Sequence, residues 1–326
     1  MKVAVTGASG HIGGNLCREL VKQGHRVKAL VHKNAASLQG IQLETVPGDL
    51  RDRASLTALV QGSDIIIHLA AVISIQGNQT GELFDINVEG TRRILEASQN
   101  ASVRRFIHFS SIHALEQSPF DRVLDENRPL AVDDKMAYSR SKARAEKAVL
   151  EAAEQGLDAV ILSPTAVIGP CDYGPSLMGR ALILLALGKL PALVPGGYDW
   201  VDVRDVTEST LTAIEKGKKG ERYLLPGHWK TLGQISKFVS ALTDRRPKRL
   251  PCPNWLARFG LPFINLYCSL TDKEPLYTRD ALYTLRMSHK NISHEKAAKF
   301  LGYKSRPFEE TLEDTLDWFQ KQGFLG

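Results

Sequence analysis

The stretch Thr6-Gly7-Ala8-Ser9-Gly10-His11-Ile12-Gly13 decides the reading of this chain. It follows a short apolar run, Val3-Ala4-Val5, and opens a segment in which Ile12, Leu16 and Leu20 recur at i, i+4 and i+8, ending at Gly24. That order predicts strand, glycine turn and amphipathic helix, the setting a dinucleotide fingerprint requires. Gly7 permits the tight turn, Gly10 lets backbone N–H groups approach a pyrophosphate, and Gly13 lets the helix pack close to the sheet. The helix N-terminus then aims unpaired donors and a partial positive charge at the phosphates. Ser9, His11 and Ile12 lie in the same turn and belong to the predicted cofactor site. The spacing is G-x-x-G-x-x-G rather than G-x-G-x-x-G.

Working outward, short apolar runs keep alternating with helical patterns. Residues 27–31, 43–46, 65–69, 106–109 and 159–162 read as further strands. Residues 56–60, 88–99 and 138–155 read as the helices between them, with Gly62 and Gly156 as stops. The alternation predicts an α/β fold: a doubly wound, Rossmann-type parallel sheet covered on both faces. After Pro164 proline becomes frequent and the alternation is lost, so residues 1–164 are expected to bind the dinucleotide. Residues 165–326 are expected to form a smaller, mostly helical substrate-binding lobe. Within them, residues 200–203 and 221–225 are expected to return to the main sheet or its rim. Asp205-Val206-Thr207-Glu208 reads as a helix start, and residues 296–301 and 311–319 as surface helices.

The bulk properties narrow the class. The chain has 326 residues, 43% of them hydrophobic, and a net charge of +6. Its basic residues are spread out, which reads as a solvated surface and no nucleic-acid site. The four cysteines, Cys17, Cys171, Cys252 and Cys268, form no C-x-x-C pair and read as reduced thiols. With the first strand starting at Lys2 there is no room for a signal peptide, and a cytoplasmic location is expected. The most apolar late stretch, residues 255–270, is interrupted by Arg258, Pro262 and Asn265 and does not read as a transmembrane span. No His, Cys or carboxylate cluster has metal-ligand spacing, so no metal is expected. His68 and His108, in apolar strands, read as satisfied core histidines.

A second constellation carries the chemistry: Tyr138-Ser139-Arg140-Ser141-Lys142, with Ser110-Ser111 upstream. On a helix, Tyr138 and Lys142 share a face. An ammonium beside a phenol stabilises the phenolate and lowers its pKa, giving an acid or base usable near neutral pH. Ser111 ends a strand, at the edge where a parallel sheet receives its ligands, and can orient a substrate oxygen. A lone Y-x-x-x-K means little; downstream of a glycine fingerprint and a strand-end serine it reads as catalytic.

With these residues in place, the chain resembles the extended short-chain dehydrogenase/reductases. It is most similar to the branch of dihydroflavonol 4-reductase-like proteins and 3β-hydroxysteroid dehydrogenases. The matching pieces occur in family order: the glycine turn, Asp49-Leu50, His68-Leu69-Ala70-Ala71, Asn87-Val88-Glu89-Gly90-Thr91, Ser110-Ser111, Tyr138 to Lys142, Pro164-Thr165-Ala166-Val167-Ile168-Gly169-Pro170, and Asp202-Val203-Arg204-Asp205-Val206. The resemblance implies that Asp49 and Leu50 meet the adenine and that Leu69, Ala70 and Ala71 run under the pyrophosphate and ribose. It also implies that Pro164, Thr165 and Val167 flank the nicotinamide, that Lys142 bonds the ribose, and that Asn87 helps position the active site. As partners it implies a small-molecule carbonyl substrate and allows a homodimer.

The second strand ends Val31-His32-Lys33 with no acid to hold ribose hydroxyls, and His32 and Lys33 offer donors to a 2′-phosphate. NADP is therefore expected over NAD. Ile73, Ile75, Ile112, Leu115, the loop near Tyr173, Leu177, Met178, Leu182, Trp255, Phe259, Phe263 and Tyr267 would give the substrate an apolar lining. The expected activity is NADP(H)-dependent reduction of a ketone or aldehyde on an apolar or aromatic molecule. The rival readings are a nucleotide-sugar epimerase or dehydratase that retains NAD, for which Arg180 and Arg204 are candidate pyrophosphate donors, and a non-catalytic dinucleotide sensor or scaffold.

Overall fold

In the computed structural model, residues 1–73, 81–190, 192–243, 252–253 and 278–325 are described. The expected positions Ile75, Trp255, Phe259, Phe263 and Tyr267, and Cys268, lie outside the described residues.

The apolar runs form a seven-stranded parallel sheet in the order β3-β2-β1-β4-β5-β6-β9. The strands are β1 (Lys2–Thr6), β2 (Arg26–Val31), β3 (Glu44–Pro47), β4 (Ile65–His68), β5 (Arg105–Phe109), β6 (Ala159–Pro164) and β9 (Arg222–Leu225). β4 and β6 are buried at every residue, because helices cover both faces. One face packs α1 (His11–Lys22) and α7 (Val203–Lys216) through Leu16, Leu20, Val206 and Ile214. The other packs α2 (Arg53–Val60), α4 (Gly90–Asn100) and α5 (Ala137–Glu154) through Leu56, Leu59, Ile94 and Val149. The strand order reverses between β1 and β4, opening a crevice at the C-terminal ends of the strands.

Residues 221–225 join the main sheet as β9, paired with β6. Residues 200–203 do not. Residues 200–202 fall in β8 (Gly197–Asp202), the centre of a second sheet between β7 (Ala166–Ile168) and β10 (His228–Thr231), and Val203 opens α7. This small mixed sheet was not foreseen, because its partners are far apart in the chain. It packs with α6 (Leu177–Ala186), α8 (Leu232–Leu242), α9 (Arg279–Arg286) and α11 (Phe308–Lys321) around Trp200, Leu182, Ile235, Leu285 and Phe319.

Three local readings are corrected. The cap of α7 is Asp202, which accepts from Arg204 N at 2.7 Å, while Asp205 is turned inward to Arg306. The helix expected from Val88 begins as a π-turn over Asp85–Glu89, preceded by the short α3 (Glu82–Phe84). α10 (Glu295–Leu301) and α11 are not simply surface helices: α10 buries Ala297 and Leu301, and α11 buries Leu312, Leu316 and Phe319. No helix among the described residues is long and apolar enough to cross a membrane, and no group of three or more His, Cys, Asp or Glu among them could hold a metal.

Candidate active site

The glycine turn joins β1 to α1, as the sequence reading requires. Gly7 has φ +69°, and a Cβ there would stand 2.6 Å from Ala70 N. A Cβ on Gly13 would meet Gly7 O at 2.2 Å. Both glycines are therefore demanded by close backbone approach. The N-cap of α1 is Gly10, with no side-chain acceptor, so the first-turn N–H groups have no capping partner. Such a turn suits an anion, and a dinucleotide pyrophosphate fits it. Ser9 takes part through its backbone: its carbonyl accepts from Ser37 Oγ at 2.9 Å. His11 Nε2 and Asn15 Nδ2 both contact Pro170 O, at 3.0 and 3.1 Å, which ties the loop after β7 to the start of α1.

A cavity of about 450 Å³ opens at this turn. Of the predicted site residues, Gly7, Gly10, His11, Ile12, Gly13, Leu69, Ala71, Ser111, Tyr138, Lys142, Pro164, Thr165 and Val167 line it. Beyond them the walls come from α6, α8 and α9, including Leu177, Met178, Leu182, Ile235 and Leu285. Ile73 and Ile112 also line it. Leu115 does not: it is fully buried in a separate small core. The loop near Tyr173 reaches the cavity through Ser176, while Tyr173 itself does not, its ring lying under Arg18 (4.9 Å) and edge-on to Trp318 (5.1 Å).

Ser111 leaves β5 in extended conformation and caps the next turn, accepting from His113 N at 3.2 Å. Its hydroxyl faces the cavity beside the Tyr138 phenol. Tyr138 and Lys142 lie one turn apart on α5, facing the cavity together. Their electrostatics differ from expectation. Burial pushes the Tyr138 phenol up, with the Ser111 hydroxyl opposing it. Burial brings Lys142 down to about 8, partly offset by Glu146. The Lys142 ammonium donates to Phe109 O at 2.7 Å rather than to the phenol, so it does not supply the expected lowering of Tyr138.

Asn87 sits on the π-turn and does not line the cavity. Its amide clamps the loop after β4, accepting from Val72 N (2.7 Å) and donating to Val72 O (3.0 Å) and Ser141 Oγ (3.0 Å). Ser141 Oγ donates in turn to Tyr138 O at 2.8 Å. Ala70 N meets Thr6 Oγ1 at 3.3 Å. His68 is a satisfied core histidine, bonded to Thr6 (2.7 Å) and Thr91 (3.0 Å) and brought by burial down to about 3. His108 departs from expectation, for neither ring nitrogen has a partner, and burial keeps it neutral.

At the far end of the crevice, Leu50 is buried in the sheet-side core. Asp49 stands 3.2 Å from His32 Nε2 and is forked by Arg51 at 2.7 and 2.9 Å. The guanidinium holds the Asp49 carboxyl down at about 2. The basic end of β2 thus does have an acidic neighbour, supplied by the strand beside it. Lys33 is exposed. Sequence reasoning missed Arg51 in this cluster. It also missed Glu146, although Tyr138, Lys142 and Glu146 are spaced at i, i+4 and i+8.

The comparisons with known proteins agree with this geometry. The model of the NAD dependent epimerase/dehydratase family matches residues 3–225. The chain is similar to Sterol demethylase protein B of Methylococcus capsulatus, 34% identical over 100% of both chains. It is similar to a 4-hydroxy-2-methyl-3-oxo-4-farnesyl-3,4-dihydroquinoline-1-oxide ketoreductase of Stigmatella aurantiaca, 31% identical over 69% of this chain and 68% of that one. The crystal structure of gox2253 matches with a TM-score of 0.84 and 32% identity, covering 100% of this chain and 99% of its own. The chain belongs to the NAD dependent epimerase/dehydratase family, the extended short-chain dehydrogenase/reductases, and is an NAD(P)-dependent enzyme of that family.

Proposed function

We propose that this enzyme reduces a ketone or aldehyde on an apolar or aromatic small molecule, with NADPH as the preferred donor. The observation that carries the reading is the lining of the cavity. Ser111, Tyr138 and Lys142 face one space whose remaining walls are mostly aliphatic and aromatic. Among the described lining residues there is no arginine to receive a sugar diphosphate. Arg204, a candidate for that role, is pinned by Asp202 at 2.7 Å and Asp314 at 2.6 Å. The ketoreductase named among the relatives supports the same class.

In this reading residues 1–164 hold the dinucleotide, and within residues 165–326 α6, α8 and α9 shape the substrate space while α7 and β9 return to the main sheet. A nicotinamide held here would supply hydride to the carbonyl carbon. Ser111 holds the carbonyl oxygen by a hydrogen bond. Tyr138 Oη gives it a proton, and its raised pKa keeps that proton on the phenol until substrate arrives. Lys142, which faces the same cavity, would bond the ribose and lower the cost of leaving phenolate behind. The glycine turn and the start of α1 receive the pyrophosphate. Lys33 and Arg51 present positive charge, and His32 a ring nitrogen, to a 2′-phosphate, with Asp49 ordering Arg51 rather than repelling the ligand unopposed. Asn87 acts on the site through the backbone it clamps.

The test is loss of NADPH absorbance against aryl ketones, aldehydes, flavanonols, steroids and nucleotide sugars. Consumption with an apolar carbonyl is expected. Isomerisation of a nucleotide sugar with no net change in the cofactor overturns the reading.

A further inference from the structure

One helical turn beyond Lys142, Glu146 is fully buried on the same side of α5 and does not line the cavity. Both carboxylate oxygens are engaged. Arg222 of β9 donates to Oε1, and Ser110, at the end of β5, donates to Oε2. Arg222 is itself buried and also donates to Glu126 O at 3.0 Å. Glu126 Oε1 accepts from Leu224 N at 3.0 Å, fixing that loop to the same strand. A carboxylate outside the cavity lining thus links the helix of Tyr138 and Lys142 to the strand leading into Ser111 and to the last strand of the sheet.

Such a pair is a poor source of stability, because desolvation offsets most of the attraction. Its position suggests another use. The titratable groups around Lys142 are Tyr138 and Glu146 on α5, His68 on β4, His108 on β5 and His113 beside Tyr138, with Arg222 of β9 bound to Glu146. Burial raises Glu146, and Arg222 and Ser110 oppose that. His68 and His108 are held neutral by burial. Arg222 is cationic and opposes a second cation. Glu146 is therefore the one group of this set that favours a charged Lys142.

We propose that Glu146, anchored by Arg222, is a positioning residue that keeps the Lys142 ammonium charged inside the site. The proposal rests on the reading above, in which Lys142 bonds the cofactor ribose.

The probe is NADPH itself, its dissociation constant followed by fluorescence from pH 6.5 to 10. The wild type is expected to weaken as Lys142 loses its proton, with an inflection near pH 8 that is missing in Lys142→Met. In Glu146→Gln that inflection moves down by about one pH unit, so binding at pH 8 is several-fold weaker than in the wild type. Glu146→Gln leaves Arg222 as an orphan buried charge and can fail to fold. The double variant Glu146→Gln/Arg222→Gln removes both charges. It is expected to keep a cooperative thermal transition and still show the shift, smaller than in the single variant because the Arg222 repulsion is gone.

A folded double variant whose inflection stays at the wild-type pH overturns the proposal while leaving the Lys142 assignment intact. A wild type with the same profile as Lys142→Met overturns both. A purely structural Glu146 would lower the melting temperature and leave the inflection where it was.

Discussion

Replacing Tyr138 by phenylalanine isolates the proton donor. The substitution removes one hydroxyl and leaves the ring, whose edge contact with His113 has centroids 6.4 Å apart. In the folded enzyme the hydroxyl lies beside that of Ser111. A hydrogen bond between two such hydroxyls is worth at most about 0.5–1.5 kcal/mol, and less once the relief of burying a polar group is counted. The fold should barely notice. In the transition state the same hydroxyl delivers a proton, and such help is worth about 10²–10⁴ in rate. At about 1.4 kcal/mol per decade this raises the barrier by about 3–5 kcal/mol. Cofactor affinity should stay within about two-fold, because the glycine turn and Lys142 are untouched. The assay is single-turnover NADPH oxidation by stopped flow with a carbonyl compound that the wild type reduces, alongside calorimetric titration of NADPH. A Tyr138→Phe enzyme within ten-fold of the wild-type rate would show that another group gives the proton.

Three further outcomes are expected. Gly13→Ala places a Cβ 2.2 Å from Gly7 O and 2.7 Å from Ala8 Cα, both backbone atoms, so the turn must move. It should cost about 1–3 kcal/mol in urea unfolding and weaken NADPH at least about ten-fold by calorimetry. Lys33→Glu should weaken NADPH while sparing NADH, since the new carboxylate repels only the 2′-phosphate; equal losses for both cofactors would remove Lys33 from that role. Lys142 has a folded value of about 8 against 10.5 for an ordinary lysine. The folded state gives up this proton first, so between those values the unfolded chain binds more protons and stability rises with pH. Measured against Lys142→Met by urea unfolding, the wild type should gain about 2 kcal/mol between pH 7.5 and 10, and a flat difference would refute the shift.

Much of the fold was legible because its signals are local. A glycine turn between an apolar run and a 3.6-residue stripe can be read within about twenty residues, as can each buried strand of the parallel sheet. The pairing of Tyr138 with Lys142 was legible for the same reason, being one turn of one helix. The helix start at Asp205 was misread: Asp202 and Asp205 both stand near the N-terminus of α7, and only their long-range partners separate the cap from the residue that holds Arg306.

What the sequence by itself determined is the set of local elements and the turn chemistry, because backbone sterics and side-chain periodicity act between near neighbours. The tertiary structure alone decided which distant groups share a site. It brought β7, β8 and β10 into a second sheet, set Asp49 against His32, and used Asn87 as a backbone clamp. It also turned Lys142 toward Phe109 and joined Glu146 to Arg222, 76 residues away. Charge pairing and desolvation depend on distance in space, and spacing along the chain carries almost no record of it.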